Sequence, residues 1–120
     1  MLKKVSDLSG EELNFSVAVA EGHPATTSSC GQACYFHELF RSWVYPHYLE
    51  WKDAGPIIER ERIRLDCSWS DSPWVGACKI DGVTAWMQGP TPTIAAMRAY
   101  VASKLGPEVE IPDCWLRSTP

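Results

Sequence analysis

The chain has 120 residues, 45% of them hydrophobic and 11% aromatic, a composition typical of a folded protein with one core. Its net charge of −4 argues against extended non-specific binding to DNA, which requires a basic face. No apolar run reaches the roughly 18 residues of a membrane span, and the first residues lack the apolar centre of a secretion signal. We therefore expect one cytosolic domain over residues 1–120.

The first predicted element is a helix over residues 9–22. Ser9 and Glu12 have the spacing of a capping box, in which each side chain bonds to the other residue's backbone N–H. Leu8 and Leu13 have the spacing of a hydrophobic staple across the start of the helix. These signals predict both where the helix begins and which side it buries.

A segment rich in aromatic and cysteine residues occupies about 23–51, and we expect it to be a variable insertion. Residues 23–33 are small and turn-prone and predict a loop. The spacing of apolar residues from 33 to 43 suggests a short helix that ends before Pro46. The aromatic side chains exceed what a small core needs, so they either cover the core, line a pocket or contact a second copy of the chain.

The middle of the chain predicts a turn at 53–56 and then three strands. Charged and apolar residues alternate strictly from 62 to 67, which is typical of a half-exposed strand. Residues 74–80 and 83–88 flank Asp81-Gly82, a strong signal for a hairpin.

The last predicted helix spans residues 92–105, with Thr91 as N-cap, Pro92 as its first residue and Gly106 at its end. Its buried stripe is predicted to consist of Ile94, Met97, Val101 and Leu105. The order of elements predicts an α+β fold, α-β-β-β-α, in which an N-terminal and a C-terminal helix pack on a small antiparallel sheet of about three strands.

The densest run of charge contains three arginines and suggests an anion site. If the extended chain begins early, Arg60, Arg62 and Arg64 share one strand face, where phosphate contacts and stacking on aromatic rings could hold a nucleotide. The alternative is a solvated strand face, with Glu59 and Glu61 interleaved among the arginines.

The start of the last helix is a second candidate anion site, because unpaired N–H groups and the positive end of the helix dipole meet there. Thr91 and Thr93 lie at this end, and Arg98 lies off the apolar stripe, either lining the same surface or packed. Every helix has such an end, so the signal gains weight only if Arg60 or Arg62 lies nearby in the fold.

The cysteines and histidines form no recognisable reactive site. In a reducing cytosol the five cysteines are expected to be free thiols. Cys30, Cys34 and His37 could hold part of a metal site, but no second ligand pair is present. Cys34 with His37 lacks an orienting group for nucleophilic catalysis, and no phosphate loop or hydrolase motif occurs. We therefore expect no metal, no cofactor and no enzyme activity.

The run Gly-Pro-Thr-Pro-Thr-Ile-Ala-Ala-Met-Arg-Ala-Tyr, which opens the stretch 89–106, resembles the NinX family of tailed-phage proteins, as do residues 5–13, 55–61 and 108–112. Glu50-Trp51 and Ala54-Gly55-Pro56 stand where the family usually has Asp-Trp and Gly-Gly-Pro. The resemblance implies an accessory protein of a phage or prophage that is made in the host bacterium and acts in its cytoplasm.

Three classes of function remain. The first is a non-enzymatic binding module that counters host defence by sequestering a nucleotide-type signal or by masking a host protein. The alternative is an accessory factor of phage recombination or replication that binds nucleic acid or a replication protein, and a small enzyme ranks last. We expect a homo-oligomer and no binding to duplex DNA or membranes. The candidate ligand-binding residues are Trp51, Glu59, Arg60, Arg62, Thr91, Thr93 and Arg98.

Overall fold

The computed structural model describes residues 1–67 and 73–112. This part of the chain contains the helices α1 (Gly10–Ala20), α2 (Trp51–Glu61) and α3 (Pro92–Leu105), with a short 3₁₀ turn at Val5–Asp7. Its strands are β1 (Leu2–Lys4), β2 (Thr26–Thr27), β3 (Ala33–His37), β4 (Ser42–Val44), β5 (Arg64–Asp66), β6 (Trp74–Ile80), β7 (Val83–Gly89) and β8 (Glu108–Glu110). They form three antiparallel sheets, ordered β1–β8, β2–β3–β4 and β5–β6–β7. The α+β class is confirmed, but the prediction of two helices on one sheet was incomplete.

The predicted hairpin is present in the β5–β6–β7 sheet. β6 and β7 pair from Trp74 opposite Gly89 to Ile80 opposite Val83. The turn residues Asp81 and Gly82 have φ values of 51° and 82°. Two consecutive positive φ values match the right-handed twist of the strands, which explains why Asp-Gly occupies this turn.

Helix α3 packs directly on this sheet because small residues face each other at the contact. A Cβ atom on Gly76 would lie 2.6 Å from the carbonyl oxygen of Ala95, and one on Gly89 would lie 2.6 Å from the Ala95 nitrogen. Both obstacles are backbone atoms, which cannot move aside as a flexible side chain could. Glycine at these two positions therefore sets how closely the helix approaches the strands.

The ends of α3 are as predicted, but its buried surface is wider. Thr91 Oγ1 accepts a hydrogen bond from the Ile94 N–H at 3.2 Å, and Gly106 ends the helix with a φ of 102°. The prediction that Leu105 belongs to a buried stripe is wrong, since Leu105 is exposed, whereas Tyr100 is only 1% exposed. The sheet covers one side of α3 and the other helices contact it elsewhere, so no single stripe defines its buried face.

Helix α1 begins after Ser9, as predicted, but the capping box does not form. The Ser9 side chain makes no cap hydrogen bond. The Glu12 carboxylate instead accepts a hydrogen bond from Lys3 Nζ at 2.6 Å, across to β1. Leu8 and Leu13 are both fully buried in the core, so the apolar part of the signal predicted the packing correctly.

The short helix predicted from 33 to 43 is wrong, because this segment forms the β3–β4 hairpin. Tyr35 lies opposite Val44, Phe36 opposite Trp43 and His37 opposite Ser42. Aromatic side chains fit a pleated surface well, and their spacing here is compatible with either a helix or a strand. The Ala33 N–H also donates to Glu11 Oε2 at 2.7 Å, and this contact fixes the start of β3 against α1.

The turn predicted at 53–56 is also wrong, because these residues lie inside α2. Pro56 is exposed there, so the carbonyl of Lys52, which loses its usual amide donor, lies on the solvent side. Ala54 and Ile57 are buried, and their packing against the core outweighs the local preference for a turn. The extended segment that follows is shorter than predicted and is restricted to Arg64–Asp66.

The two-stranded sheet joins distant parts of the chain, with Leu2 opposite Glu110 and Lys4 opposite Glu108. Val109 is buried in this pairing. Within residues 1–67 and 73–112, we find no helix that is both long enough and apolar enough to cross a membrane.

Candidate functional site

The seven candidate residues lie in separate places rather than in one site. Helix α2 carries Trp51, Glu59 and Arg60, and Arg62 caps its end with a left-handed φ of 53°. The expectation that Arg60 and Arg62 share a strand face is therefore wrong, because the helix extends through Glu61. Thr91, Thr93 and Arg98 belong to the N-terminal half of α3 and the residue before it.

Arg60 is held by two carboxylates. Its Nη2 and Nη1 atoms donate to the two oxygens of Glu21 at 2.6 and 3.2 Å, and its Nε donates to Glu61 Oε2 at 2.6 Å. A paired contact of this kind matches the fork of the guanidinium group to a carboxylate. One positive and two negative charges give this cluster a net charge of −1, so it would not attract a phosphate.

Tyr100 completes the arrangement, which we call the Glu21 cluster (Glu21, Arg60, Glu61 and Tyr100). The Tyr100 hydroxyl donates to Glu21 Oε2 at 2.5 Å and accepts from Arg60 Nη2 at 3.2 Å. Burial and the bond to Glu21 raise the pKa of Tyr100. Burial alone would raise the pKa of Glu21, but hydrogen bonds from Arg60 and Tyr100 outweigh it and hold this pKa below its usual value.

The two threonines at the start of α3 have structural partners. Thr91 caps the helix, and Thr93, which is buried, donates from Oγ1 to the Leu49 carbonyl at 2.7 Å. The second bond ties α3 to the segment that precedes α2. These contacts occupy the two side chains that were predicted to bind an anion.

A groove of about 340 Å³ lies between β4, the following loop and α2. Tyr35, Tyr45 and Tyr48 are among the residues that line it, so part of the aromatic segment lines a pocket. The groove is lined by two positively charged side chains, Lys52 and Arg60, and by two negatively charged ones, Glu21 and Asp53, so these charges sum to zero. We call this the tyrosine groove, and its charge favours a neutral occupant over a phosphate.

A larger groove, of about 500 Å³, runs beside β7 and α3. We call it the Arg98 groove; it is lined by Ser6, Pro73, Trp86, Met87, Gln88, Gly89, Pro90 and Arg98. Arg98 Nε donates to the Leu8 carbonyl at 2.9 Å and Nη1 donates to the Gln88 carbonyl at 2.8 Å. Burial lowers the pKa of Arg98, while the nearby charge of Asp7 acts in the opposite direction. Trp86, which is not among the predicted site residues, is 59% exposed at this groove.

Among the residues that the structure describes, the two most exposed large apolar side chains lie in the turn of the β3–β4 hairpin, and a third exposed side chain lies on β4. Leu39 is 80% exposed, Phe40 72% and Trp43 54%. Trp43 packs edge-on against Phe36, with 5.5 Å between ring centroids, so its ring is held in place while one side faces solvent. We call Leu39, Phe40 and Trp43 the hairpin surface.

The possible metal ligands do not come together. Cys30 is exposed and Cys34 is buried. Searched over residues 1–67 and 73–112, the structure brings no three His, Cys, Asp or Glu side chains close enough to hold a metal ion. Cys114 lies outside the described residues.

Comparison with known proteins identifies the family. The family model described as Bacteriophage P22, NinX matches residues 4–104. The chain belongs to the NinX family. A search of curated proteins gives no match. The matched range 4–104 spans the hairpin surface, the Glu21 cluster and Arg98.

Proposed function

We propose that this NinX-family chain is a phage or prophage accessory protein that acts in the host cytoplasm by binding, without catalysis, and that it masks a host protein. The observation that carries the proposal is the hairpin surface. Large apolar side chains exposed together at one hairpin of a folded protein indicate an interaction site, and aromatic residues supply much of the binding energy in protein interfaces. The expected outcome of masking is interference with a host defence protein.

The charge distribution supports a protein partner over a nucleotide bound at Arg60. Arg60 already contacts Glu21 and Glu61, so a phosphate would have to displace a carboxylate from it. The net charge of −4 also disfavours the alternative of an accessory factor that binds nucleic acid. A replication protein as the partner remains the other candidate, and it would use the same hairpin surface.

The experiment uses the full chain with Phe40→Ser and Trp43→Ser combined, and Val83→Ser as control. Val83 is also exposed and apolar but lies at the other hairpin, so the control tests for a general effect of lost apolar surface. Proteins from a host extract that bind the wild type are identified by mass spectrometry, purified and titrated against each variant. We expect the double variant to weaken binding by more than about tenfold, and the control to bind like the wild type.

The identity of the partner separates the hypotheses. A defence protein supports masking, whereas a recombination or replication protein supports the alternative. If every purified partner binds the double variant as tightly as the wild type, the hairpin surface is not the binding site and the proposal is wrong. Folding of each variant is checked by circular dichroism.

The predicted homo-oligomer is a separate proposal that the same variants test. Sedimentation velocity gives the mass of the wild-type chain in solution. An oligomer that the double variant dissociates and Val83→Ser does not would place the hairpin surface between copies, in place of a host protein. A monomer across the accessible concentrations would contradict the oligomer.

A further inference from the structure

β7 forms one edge of its sheet in the part of the chain that the structure describes. The two-residue turn makes Ile80 and Val83 a hydrogen-bonded pair, and hydrogen-bonded pairs then alternate along β6 and β7. The N–H and C=O groups of Thr84, Trp86 and Gln88 consequently point away from β6. These groups form the outer edge of β7.

Arg98 supports this assignment of the outer edge. Its Nη1 atom donates at 2.8 Å to the Gln88 carbonyl, one of the groups that the alternation turns away from β6. Within residues 1–67 and 73–112, Trp86 pairs with Ala77 on β6 and with no second strand. The outer edge therefore offers the Trp86 N–H and carbonyl to an incoming strand.

Arg98 also has unused capacity to bind an anion. A guanidinium group has five N–H donors, and Arg98 gives two of them to the carbonyls of Leu8 and Gln88. It is half-buried, and no carboxylate of the described residues forms an ion pair with it. Asp7 acts on Arg98 only through its nearby charge and makes no ion pair with it, so the remaining N–H donors of this partly buried cation are open to a carboxylate ligand, and two structural bonds hold the group in position to receive one.

The shape of the Arg98 groove indicates the form of its occupant. Five consecutive residues, Trp86 to Pro90, line it. Successive residues of a strand point to opposite faces of the sheet, so they can line one groove only where it follows the backbone edge. An extended chain fits such a groove, because its backbone can bond to the edge over several residues.

We propose that the Arg98 groove binds an extended segment of a partner protein, which adds to β7 as a further strand and places an Asp or Glu side chain on Arg98. The edge of β7 supplies main-chain hydrogen bonds and Arg98 selects the acidic side chain. The proposal does not rest on the hairpin surface, which shares no residue with this groove.

The probe is a library of random, terminally blocked peptides displayed on a carrier and selected against the full chain. We expect the enriched peptides to share one Asp or Glu within an alternating apolar sequence. For a selected peptide, replacing that acid by Asn or Gln should weaken binding about tenfold or more. Failure to enrich any sequence, or enrichment of peptides without an acidic residue, would overturn the proposal.

A matched pair of variants tests the edge of β7 itself. Trp86→Ala removes the indole and keeps the backbone N–H, whereas Trp86→Pro removes the N–H as well. Proline is tolerated on an edge strand where its nitrogen faces outward, and circular dichroism checks that both variants fold. We expect Trp86→Pro to bind the selected peptide about tenfold more weakly than Trp86→Ala. Equal binding would show that no strand is added.

Two substitutions of Arg98 test whether it selects the acidic side chain, and the hairpin double variant tests whether the groove binds independently of the hairpin surface. Arg98→Lys keeps the positive charge, whereas Arg98→Gln removes it, so only the second should abolish the preference for an acidic peptide over its Asn or Gln counterpart. If both variants keep this preference, Arg98 is not the residue that selects the acidic side chain. The variant with Phe40→Ser and Trp43→Ser should bind the peptide like the wild type, so failure of the hairpin proposal would not affect this one.

Discussion

The Tyr100 hydroxyl and the Arg60 guanidinium donate to the same oxygen of Glu21, at 2.5 and 2.6 Å. Glu21 follows α1, Arg60 lies on α2 and Tyr100 lies on α3, so one carboxylate connects all three helices. The arginine that the sequence presents as a ligand-binding residue thus joins helices together. Its contribution should be measurable as stability, before any ligand is known.

The first prediction concerns the loss of the Glu21 charge. Glu21→Gln weakens the contact with Arg60 and replaces a charged acceptor for the buried Tyr100 hydroxyl by a neutral one. Because Arg60 is half exposed, we expect a loss of only about 1–2 kcal/mol in the free energy of unfolding, measured with urea. Glu59→Gln, an exposed change on α2, should stay within about 0.5 kcal/mol of the wild type. Equal effects of the two changes would show that the cluster contributes nothing.

The second prediction concerns acid pH. The pKa of Glu21 is lower in the folded chain than its usual value of 4.5, so its stabilising effect is present above pH 4.5 and is lost as the pH falls through the folded value. The difference in unfolding free energy between the wild type and Glu21→Gln should therefore be constant near neutral pH and shrink in acid. A difference that grows as the pH falls would contradict this reading of the cluster.

The third prediction concerns alkaline pH. Burial raises the pKa of Tyr100 above its usual value of 10.0, so the neutral hydroxyl stabilises the fold below pH 10 and this effect is lost as the pH rises further. The Tyr100→Phe variant has no hydroxyl to ionise, so its free energy of unfolding should fall less than that of the wild type between about pH 9 and 11. This range extends about one pH unit to either side of the pKa of an unperturbed tyrosine. Parallel pH profiles for the two proteins would exclude Tyr100 as a contributor.

The fourth prediction compares two glycines. Gly76→Ala would place a Cβ atom 2.6 Å from the Ala95 carbonyl oxygen, so we expect a loss of about 2 kcal/mol or more in unfolding free energy. Gly55→Ala lies in α2 and meets no atom of another element within 4 Å; the gain in helix propensity is opposed by the contact of the new Cβ with Pro56, so we expect a change within about 1 kcal/mol. Thermal unfolding of both variants measures the contrast. Similar melting temperatures would mean that α3 does not press on β6.

The fifth prediction concerns the proline within α2. Pro56→Ala restores the amide that can bond to the Lys52 carbonyl, at a position exposed to solvent. We expect a gain of about 1 kcal/mol, less than the full cost of an interior proline because proline also restricts the unfolded chain. Urea unfolding is the measurement. A loss of stability would indicate that α2 depends on the bend that proline imposes.

The elements predicted correctly are those whose signals are local. Asp81-Gly82 fixes a hairpin through its own φ angles, and Thr91-Pro92 begins a helix whatever surrounds it. The missed elements depend on tertiary contacts. Ala54 and Ile57 are buried by other segments, and this packing makes a helix of a stretch whose Gly-Pro dipeptide favours a turn.

The candidate sites were less predictable than the fold. The sequence singles out Arg60, but its partners Glu21 and Tyr100 are 39 and 40 residues away, and no periodic pattern connects them. The charge run predicted a strand face, and the helix that replaces it turns Arg60 toward acidic groups. Arg98 was selected because it lies off the apolar stripe of the last helix, yet its binding capacity depends on the edge of β7, which only the sheet order reveals.

The pairing of β1 with β8 determines how the chain responds to mechanical force. Met1 and Ile111 bond to each other just outside the Leu2–Glu110 register pair, so tension applied at Met1 and beyond Ile111 acts first on this one pair of residues. The strands would then unzip bond by bond, since antiparallel hydrogen bonds loaded from one end do not share the load. A force that pulls β1 and β8 apart from this end would therefore meet little resistance until the two strands separate. The core between α1 and α3 would bear tension only after that.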